Sequence, residues 1–144
     1  MAMWNSDRKN IEIIPRAYYH GSCEEFLSAS EAEIYHELVH NSLQFDLTVQ
    51  QERAWNEEIR ILKNVMLQLK EGHLALEYSI PRMGKRIDAV LIIRSCVILL
   101  EFKVFETTYP KSAVDQVVDY ALDLHNFHEA SHTAPLFPFL VCTE

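Results

Sequence analysis

Apolar residues recur along this chain in two patterns. Some stretches have them at helical spacing, and others have short runs of branched apolar side chains. Residues 30–41 show the helical pattern, with Ser28 or Ser30 as the predicted cap and with Ile34 and Leu38 one turn apart on the side that would face a core. Residues 1–27 show neither pattern, and they contain a proline and a glycine that interrupt regular structure. We therefore expect an irregular segment over residues 1–27 and one ordered domain over residues 28–144.

The clearest predicted element is a long helix that begins at Thr48 and ends near Gly72. Thr48 and Gln51 fit a capping box, in which each side chain bonds the backbone of the other residue. Five apolar residues repeat along its inner face at helical spacing: Trp55, Ile59, Leu62, Met66 and Leu69. Glu58 lies on a stripe that adjoins this face, so it is the acid on the apolar side of the predicted helix.

Four apolar runs predict strands, at residues 74–80, 86–93, 96–104 and 136–142. A further helix is predicted over residues 111–128, before the last strand. From Thr48 onward the order is therefore αβββαβ, preceded by the N-terminal helix. A strand that follows a helix can return to the sheet in parallel, which indicates an α/β fold with a central mixed sheet of about four strands flanked by helices.

Two of these strands form a predicted hairpin that brings three charged residues to one face. If the two residues after Ile93 form the turn, Ile93 opposes Cys96 and, counting back, Asp88 opposes Glu101. Directly opposed side chains have Cβ atoms roughly 4.5–5.5 Å apart, and Lys103 shares their face because strand side chains alternate. Two carboxylates held so close repel each other unless a cation lies between them. The register therefore predicts a site for a divalent metal ion.

Composition narrows the class of protein. The chain has 144 residues and a formal net charge of −8, which disfavours a free-standing nucleic-acid binder because phosphate contacts need clustered Lys and Arg. No apolar run is long enough to span a membrane, and the N-terminus lacks the apolar run of a signal peptide. The three cysteines are isolated, as is typical of a reducing compartment. The expected location is the cytoplasm, without membrane attachment.

Taken in order, the charged motifs resemble those of the PD-(D/E)xK nuclease superfamily, and within it domains with the RecB-type signature. The matching pieces are Gly84-Lys85-Arg86-Ile87-Asp88, Glu101-Phe102-Lys103 and Gln116-Val117-Val118-Asp119-Tyr120. Over roughly residues 18–144 the chain is also similar to nuclease-like domains at the N-terminus of prokaryotic proteins whose C-terminal half is a superfamily 1-type helicase or ATPase. The resemblance implies a restriction-endonuclease-like core and a Mg²⁺-dependent deoxyribonuclease.

The resemblance also implies roles for residues of the metal site. Asp88 and Glu101 would bind Mg²⁺, for which Mn²⁺ could substitute, together with the backbone carbonyl of Phe102; hard oxygen donors suit these ions. Lys103 would orient or deprotonate the attacking water. Glu58 would hold metal-bound water or a second metal ion.

Other residues would face the substrate. By the same resemblance, Gln116 and Tyr120 lie one helical turn apart, where Gln116 would brace the lysine and Tyr120 would touch the nucleic-acid strand. Lys85 or Arg86 would contact phosphate. The expected partners are DNA and an ATPase or helicase domain in DNA processing or defence against foreign DNA, and the sequence leaves a homodimer open.

Two alternatives remain at this point. The sequence contains no Walker motif (GxxxxGK[ST]), so the chain is expected to be either part of a longer protein or a stand-alone version without its ATPase. A catalytically inactive nucleic-acid-binding or scaffolding module with the same fold would also fit the acidic charge.

The HExxH motif of the zinc peptidases also occurs, at His128-Glu129-Ala130-Ser131-His132, but Pro135 follows too closely for a long helix. We therefore disfavour a peptidase.

Overall fold

A computed structural model of the chain describes residues 16–42, 47–80, 84–104, 111–127 and 135–143. Within these ranges the elements follow the order β1 (Ala17–Ser22), α1 (Cys23–Ser28), α2 (Glu31–Asn41), α3 (Val49–Leu69), β2 (His73–Ser79), β3 (Arg86–Ile93), β4 (Cys96–Lys103), α4 (Lys111–Phe127) and β5 (Leu136–Cys142). None of these helices combines the length and apolar character of a bilayer-spanning segment.

The described strands form a five-stranded mixed sheet in the spatial order β1-β2-β3-β4-β5. Strands β1 to β4 pair antiparallel with their neighbours, whereas β5 joins β4 in parallel after the crossover through α4. The predicted mixed α/β fold is therefore confirmed. The sheet has five strands where about four were predicted, because β1 was not foreseen.

Residues 17–27 correct the sequence-based prediction of an irregular N-terminal segment. They form β1 and most of α1, and Tyr19 pairs with Leu76 and is buried. Ser22 begins α1 with a reciprocal capping box, in which Ser22 and Glu25 each bond the backbone of the other. The domain therefore begins by residue 17 and not at residue 28.

The helix starts follow the predicted caps. The side chain of Ser30 accepts a bond from the backbone of Glu33 and begins α2, and Thr48 Oγ1 accepts a 3.1 Å bond from the backbone N–H of Gln51 to begin α3. At its other end α3 stops where Lys70 adopts a left-handed conformation, with φ at 61°. The helix that carries Glu58 therefore begins at the predicted cap, whereas it ends at Leu69, before the predicted stop at Gly72.

Each face of the sheet is covered by helices. Helices α1 to α3 pack on one face over a core that includes Phe26, Ile34, Leu38, Ile59, Leu62, Met66, Leu74, Leu76, Ala89 and Phe102. Helix α4 packs on the other face over a smaller core of Ile80, Ile87, Val90, Leu99, Tyr120 and Ala121. Each large aliphatic side chain buried in this way stabilises the fold by roughly 1.5–3 kcal/mol.

The β3–β4 hairpin has the predicted register, with Ile93 opposite Cys96 and Ala89 opposite Leu100. Arg94 adopts a left-handed φ of 57°, which is the backbone that a tight hairpin turn demands. Asp88 and Glu101 are the next residues outward from the Ala89–Leu100 pair.

In the paired strands β2 and β3, the side chains switch from one face of the sheet to the other next to these acids. Leu76 and its partner Ala89 belong to the core under α1 to α3, whereas Tyr78 and its partner Ile87 pack in the core under α4. Residues two apart in a regular strand share a face, so the strand pair turns over between these positions. Glu77, which lies at the change, has a left-handed φ of 54°. Because of this irregularity, acidic side chains from both faces of the sheet can approach the same position.

Candidate metal centre

The carboxyl groups of Asp88 and Glu101 lie close enough for each to shift the pKa of the other, downward for Asp88 and upward for Glu101. Asp88 Oδ2 also accepts a 2.7 Å bond from the backbone N–H of Phe102, the residue after Glu101. Two carboxyl groups can bond each other only if they share a proton, because ionised carboxylates only accept hydrogen bonds. Either a shared proton or a cation would therefore relieve the repulsion between these two groups.

Glu101 carries a buried oxygen without a partner. Its side chain is 6 % exposed, and its Oε2 atom has no hydrogen-bond partner among the described residues. Leaving a buried polar atom unpaired costs roughly 1–3 kcal/mol. A metal ligand has such a buried oxygen, without a hydrogen-bond partner in the protein, before the metal binds.

Two further glutamates approach Asp88 from other elements. Glu58 lies on α3 and Glu77 on β2, and one carboxylate oxygen from each of Glu58, Glu77 and Asp88 lies within 4.8 Å of the other two. Glu58 is 8 % exposed, far less than a rim glutamate that bends into water. The structure thus brings Glu58 to the hairpin acids, where the resemblance placed it.

Glu77 is the residue that the sequence analysis missed. The pairing of Leu76 with Ala89 and of Tyr78 with Ile87 sets Glu77 opposite Asp88 on the neighbouring strand. Its Oε1 atom accepts a 3.1 Å bond from the indole Nε1–H of Trp55 on α3. A usable signal existed, because Glu77 is a charged residue inside an otherwise apolar strand, and pairing β2 with β3 across their short connection would have aligned it with Asp88.

The four acids are electrostatically unfavourable as ionised groups. Burial, and then the charge of Asp88, raise the pKa of Glu101 to about 9 and that of Glu77 to about 7. The same causes raise the pKa of Glu58 well above its ordinary value. Burial also raises the pKa of Asp88, although its bonds to Glu101 and Phe102 oppose the shift. A divalent cation would reverse these shifts, since it favours the charged form of each group.

Lys103 supplies positive charge beside the acids. Its charge lowers the pKa values of Asp88 and Glu101, against the effect of burial. Two residues beyond Glu101 on β4, it shares the face of that glutamate. Lys103 and Glu58 also line a cleft of about 750 Å³, whose other walls include the first turns of α3 and Phe102. The site therefore opens to a space large enough for part of a polymer substrate.

Gln116 and Tyr120 lie on α4, and the amide of Gln116 donates a hydrogen bond to the Tyr120 hydroxyl. Tyr120 is 1 % exposed and packs in the core under α4. The predicted contact of its ring with a nucleic-acid strand is therefore wrong, because the buried ring presents no surface to a strand. The charges of Glu101 and Asp88 contribute to the raised pKa of Tyr120, after burial.

The two basic residues predicted to contact phosphate have different surroundings. Lys85 is exposed. The guanidinium of Arg86 stacks 4.1 Å from the ring centroid of Tyr18 and donates a 3.1 Å bond to the backbone carbonyl of Glu77. Arg86 therefore braces the strand irregularity at Glu77, and a phosphate contact by either residue stays a prediction.

Two other expectations remain predictions. The backbone carbonyl of Phe102 as a metal ligand is one, since the contact described above uses the N–H of this residue. The other concerns the HExxH letters, because residues 128–134 lie outside the described residues.

The comparisons with known proteins do not assign this chain to a family. Neither protein-family models nor curated proteins nor solved structures match this chain. The functional argument therefore rests on the geometry of the four acids, Lys103 and the cleft.

Proposed function

We propose that this domain is a metal-dependent phosphodiester hydrolase that cuts DNA, with the restriction-endonuclease-like arrangement that its motifs resemble. One observation carries the proposal: beside Asp88 and Lys103, Glu101 has a buried carboxylate oxygen without a hydrogen-bond partner among the described residues. Structural ion clusters normally satisfy their buried atoms. This cluster does not, which favours a ligand over a structural role.

The residues present fit Mg²⁺ or Mn²⁺. Carboxylate oxygens are the hard donors that these ions prefer, and the unsatisfied Glu101 Oε2 atom offers a position for one. Asp88, Glu101 and the Phe102 carbonyl would hold the ion. When bound, a divalent cation supplies a Lewis acid for a phosphoryl oxygen and lowers the pKa of a bound water.

The neighbouring side chains have separate tasks in hydrolysis. Lys103 would orient the attacking water with its ammonium group and offset the charge that builds on the phosphate. Glu58 would accept a hydrogen bond from water at the mouth of the cleft, since its side chain lines that cleft. Gln116, oriented by the Tyr120 hydroxyl, would brace Lys103.

The cleft favours a phosphate-bearing substrate. Besides Glu58, its wall contains mostly uncharged polar groups and two cations: Thr48, Gln50, Gln51, Arg53 and Lys103. For a chain with a net charge of −8, this is a locally favourable path for a polyanion. We propose that an ATPase or helicase domain, in the same or a partner protein, supplies the wider grip on DNA.

Incubation with DNA tests the proposal. Linear, circular and single-stranded DNA are each incubated with the protein in Mg²⁺ or Mn²⁺, and cleavage is followed on gels. Wild-type protein should cut at least one form, Asp88→Ala should not, and Glu71→Gln should cut normally, because Glu71 pairs with Arg94 on the surface. Absence of cleavage by the wild-type chain, alone and joined to an ATPase partner, contradicts the proposal.

The second candidate is a catalytically inactive binding or scaffolding module, favoured by the net charge of −8. Such a module needs no cation, so Mg²⁺ and Mn²⁺ should leave its thermal stability unchanged. Stabilisation by Mn²⁺ that disappears in Glu101→Gln would decide against the inactive module.

A further inference from the structure

Arg86 connects the three strands that meet beside the acidic site. It lies on β3, and the central carbon of its guanidinium stacks 4.1 Å from the ring centroid of Tyr18 on β1. Its Nη1 atom donates a 3.1 Å bond to the backbone carbonyl of Glu77 on β2. The same atom lies 3.5 Å from the backbone carbonyl of Arg16, just before β1. A planar guanidinium can stack and bond in this way, whereas the compact ammonium group of a lysine cannot.

These contacts hold a backbone conformation that is unfavourable by itself. Glu77 has a left-handed φ of 54°, and a residue with a side chain rarely adopts that region unless its surroundings enforce it. Asp88 lies opposite Glu77, at the point where β2 and β3 reverse their faces. The direction of the Asp88 side chain therefore depends on this irregularity being maintained.

The side chain of Glu77 is restrained as well as its backbone. The indole N–H of Trp55 donates a 3.1 Å bond to Oε1 of Glu77. Trp55 in turn packs edge-on against Tyr18, with ring centroids 6.4 Å apart, and Tyr18 is the ring on which Arg86 stacks. One connected group of side chains thus fixes both the carbonyl and the carboxylate of Glu77. Strained residues persist where their surroundings over-determine them in this way, and such residues cluster at functional sites.

The surroundings of Arg86 disfavour the phosphate contact that the sequence predicted for Lys85 or Arg86. Tyr18 covers one face of the guanidinium, and Nη1 is engaged by the backbone of Glu77. Arg86 is not among the described residues that line the cleft. Lys85, in contrast, is exposed. The contacts of Arg86 are therefore those of a residue that acts on the protein and not on the substrate.

We propose that Arg86 is a positioning residue of the catalytic site, which acts through Glu77 and the strand irregularity to direct Asp88 toward Glu101 and does not contact DNA. This rests on the proposed function, in which Asp88 and Glu101 hold the divalent cation. Replacing a group that orients metal ligands typically lowers metal affinity or activity about 10–100-fold. Loss of a phosphate contact instead weakens DNA binding and its salt dependence, and leaves the affinity for the ion unchanged.

The affinity for Mn²⁺ in the absence of DNA tests the proposal. Free Mn²⁺ is measured by its electron paramagnetic resonance signal during titration of wild-type protein, Arg86→Lys and the control Arg60→Lys. Arg86→Lys keeps the charge but loses the planar group that stacks on Tyr18, so its affinity should fall about 10–100-fold. Arg60 pairs with Glu57 on the surface of α3, so Arg60→Lys should bind Mn²⁺ as the wild type does.

Measurements with DNA separate positioning from substrate binding. In Arg86→Lys the kcat for DNA cleavage should fall at least tenfold, whereas KM should be unchanged because no DNA contact is lost. For Arg86→Ala, binding of a fluorescent DNA oligonucleotide is measured without metal over a range of salt concentrations. The slope of log K against log salt should equal that of the wild type, whereas a lost phosphate contact would reduce it by about one.

A merely structural role for Arg86 has a different outcome. It would lower the Tm of Arg86→Lys, followed by circular dichroism, without changing the Mn²⁺ affinity of the folded variant. If Arg86→Lys does not fold, Tyr18→Leu replaces it, because this variant keeps the arginine and removes the ring on which it stacks. Its Mn²⁺ affinity should also fall about tenfold.

The outcomes separate this proposal from the proposed function. A folded variant with wild-type Mn²⁺ affinity, or a reduced salt slope in Arg86→Ala, overturns the positioning role and leaves the proposed function intact. Wild-type protein that binds Mn²⁺ but cuts no DNA counts against the proposed function alone. Wild-type protein that binds no Mn²⁺ overturns both.

Discussion

Asp88 and Glu101, two acids on adjacent strands, lie close enough for each carboxyl group to shift the pKa of the other. The bond from the Phe102 backbone N–H favours the ionised form of Asp88. Glu101 is then the member of the pair that retains the proton, consistent with its pKa of about 9. A cation that displaces this proton converts a repulsive pair into a ligand set, so stability, pH and metal binding are linked at this site.

The metal-free protein should lose stability as pH rises. Glu77 and Glu101 have folded-state pKa values of about 7 and about 9, above the value of about 4.3 for an unperturbed glutamate. The folded chain therefore binds more protons than the unfolded chain, and its stability is present below pH 4.5 and falls as pH rises toward 9. For Glu77 alone the loss is about 4 kcal/mol, at 1.36 kcal/mol for each pKa unit. Urea unfolding with a chelator between pH 5 and 9 measures it.

Glu101→Gln provides the matched control for this pH dependence. The variant keeps the shape of the side chain and removes its titration, so the decline between pH 7 and 9 should become shallower. At pH 8 the metal-free variant should be more stable than the wild type by up to about 5 kcal/mol, at 1.36 kcal/mol for each unit between pH 8 and the unperturbed pKa, because the unfolded chain no longer gains from ionising a glutamate there. An unchanged slope would mean that the raised pKa of Glu101 is wrong.

Mn²⁺ should stabilise the protein through these acids. An ion that binds only the folded chain adds about 2.7 kcal/mol to its stability at 100 times its Kd. Thermal unfolding at pH 7.5 should show this as a rise in Tm for the wild type and for Glu71→Gln. The rise should be lost in Asp88→Asn, which removes one of the proposed metal ligands. An equal rise in Asp88→Asn would place the bound ion elsewhere.

Much of this fold follows from local signals in the sequence. Ser30 and Thr48 cap the helices that they were predicted to cap, and the hairpin has its predicted register, because caps and tight turns depend on a few neighbouring residues. Strand β1 was missed since a short edge strand leaves little alternation to detect, and the glycine near its end suggested a break. Its stability comes from pairing with β2, a contact distant in sequence.

The site shows the same division between local and distant information. Strand register was enough to bring Asp88 and Glu101 together, whereas Glu77 depends on pairing between β2 and β3 and on a local reversal of faces. Regular alternation, on which the sequence analysis relied, fails at such a reversal. The burial of Tyr120 depends on how α4 packs against the sheet, which spacing along one helix does not reveal.

The Lys103→Ala variant should lose DNA-cleavage activity but should still bind the metal ion. The ammonium group touches water and phosphate in the proposed reaction, and such groups contribute typically 10²–10⁴-fold to rate. The kcat for DNA cleavage should therefore fall at least 100-fold, while the Mn²⁺ affinity is retained or improves. Arg60→Ala, which removes a cation from the exposed face of α3, should cleave normally. If Lys103→Ala cuts at the wild-type rate, Lys103 is not part of the reaction.

Tyr120→Phe should test whether the Tyr120 hydroxyl orients Gln116. The variant keeps the buried ring and removes the acceptor of the Gln116 amide bond, so the protein should lose about 1 kcal/mol of stability. Its kcat should fall in common with that of Gln116→Ala, and the double variant should be no worse than Gln116→Ala alone, because both changes break one interaction. Additive losses in the double variant would show that the two residues act independently.

Tyr19→Ala should show that β1 belongs to the folded domain. Tyr19 is 6 % exposed and stacks edge-on against Phe26, with ring centroids 5.9 Å apart. Removing a large buried aromatic side chain costs about 3–5 kcal/mol, which urea unfolding would detect as a lower midpoint. The adjacent His20 is exposed on the same strand, so His20→Ala should change stability by less than about 0.5 kcal/mol. Equal, small effects of the two variants would mean that residues 17–22 lie outside the cooperative unit, as the sequence analysis had expected.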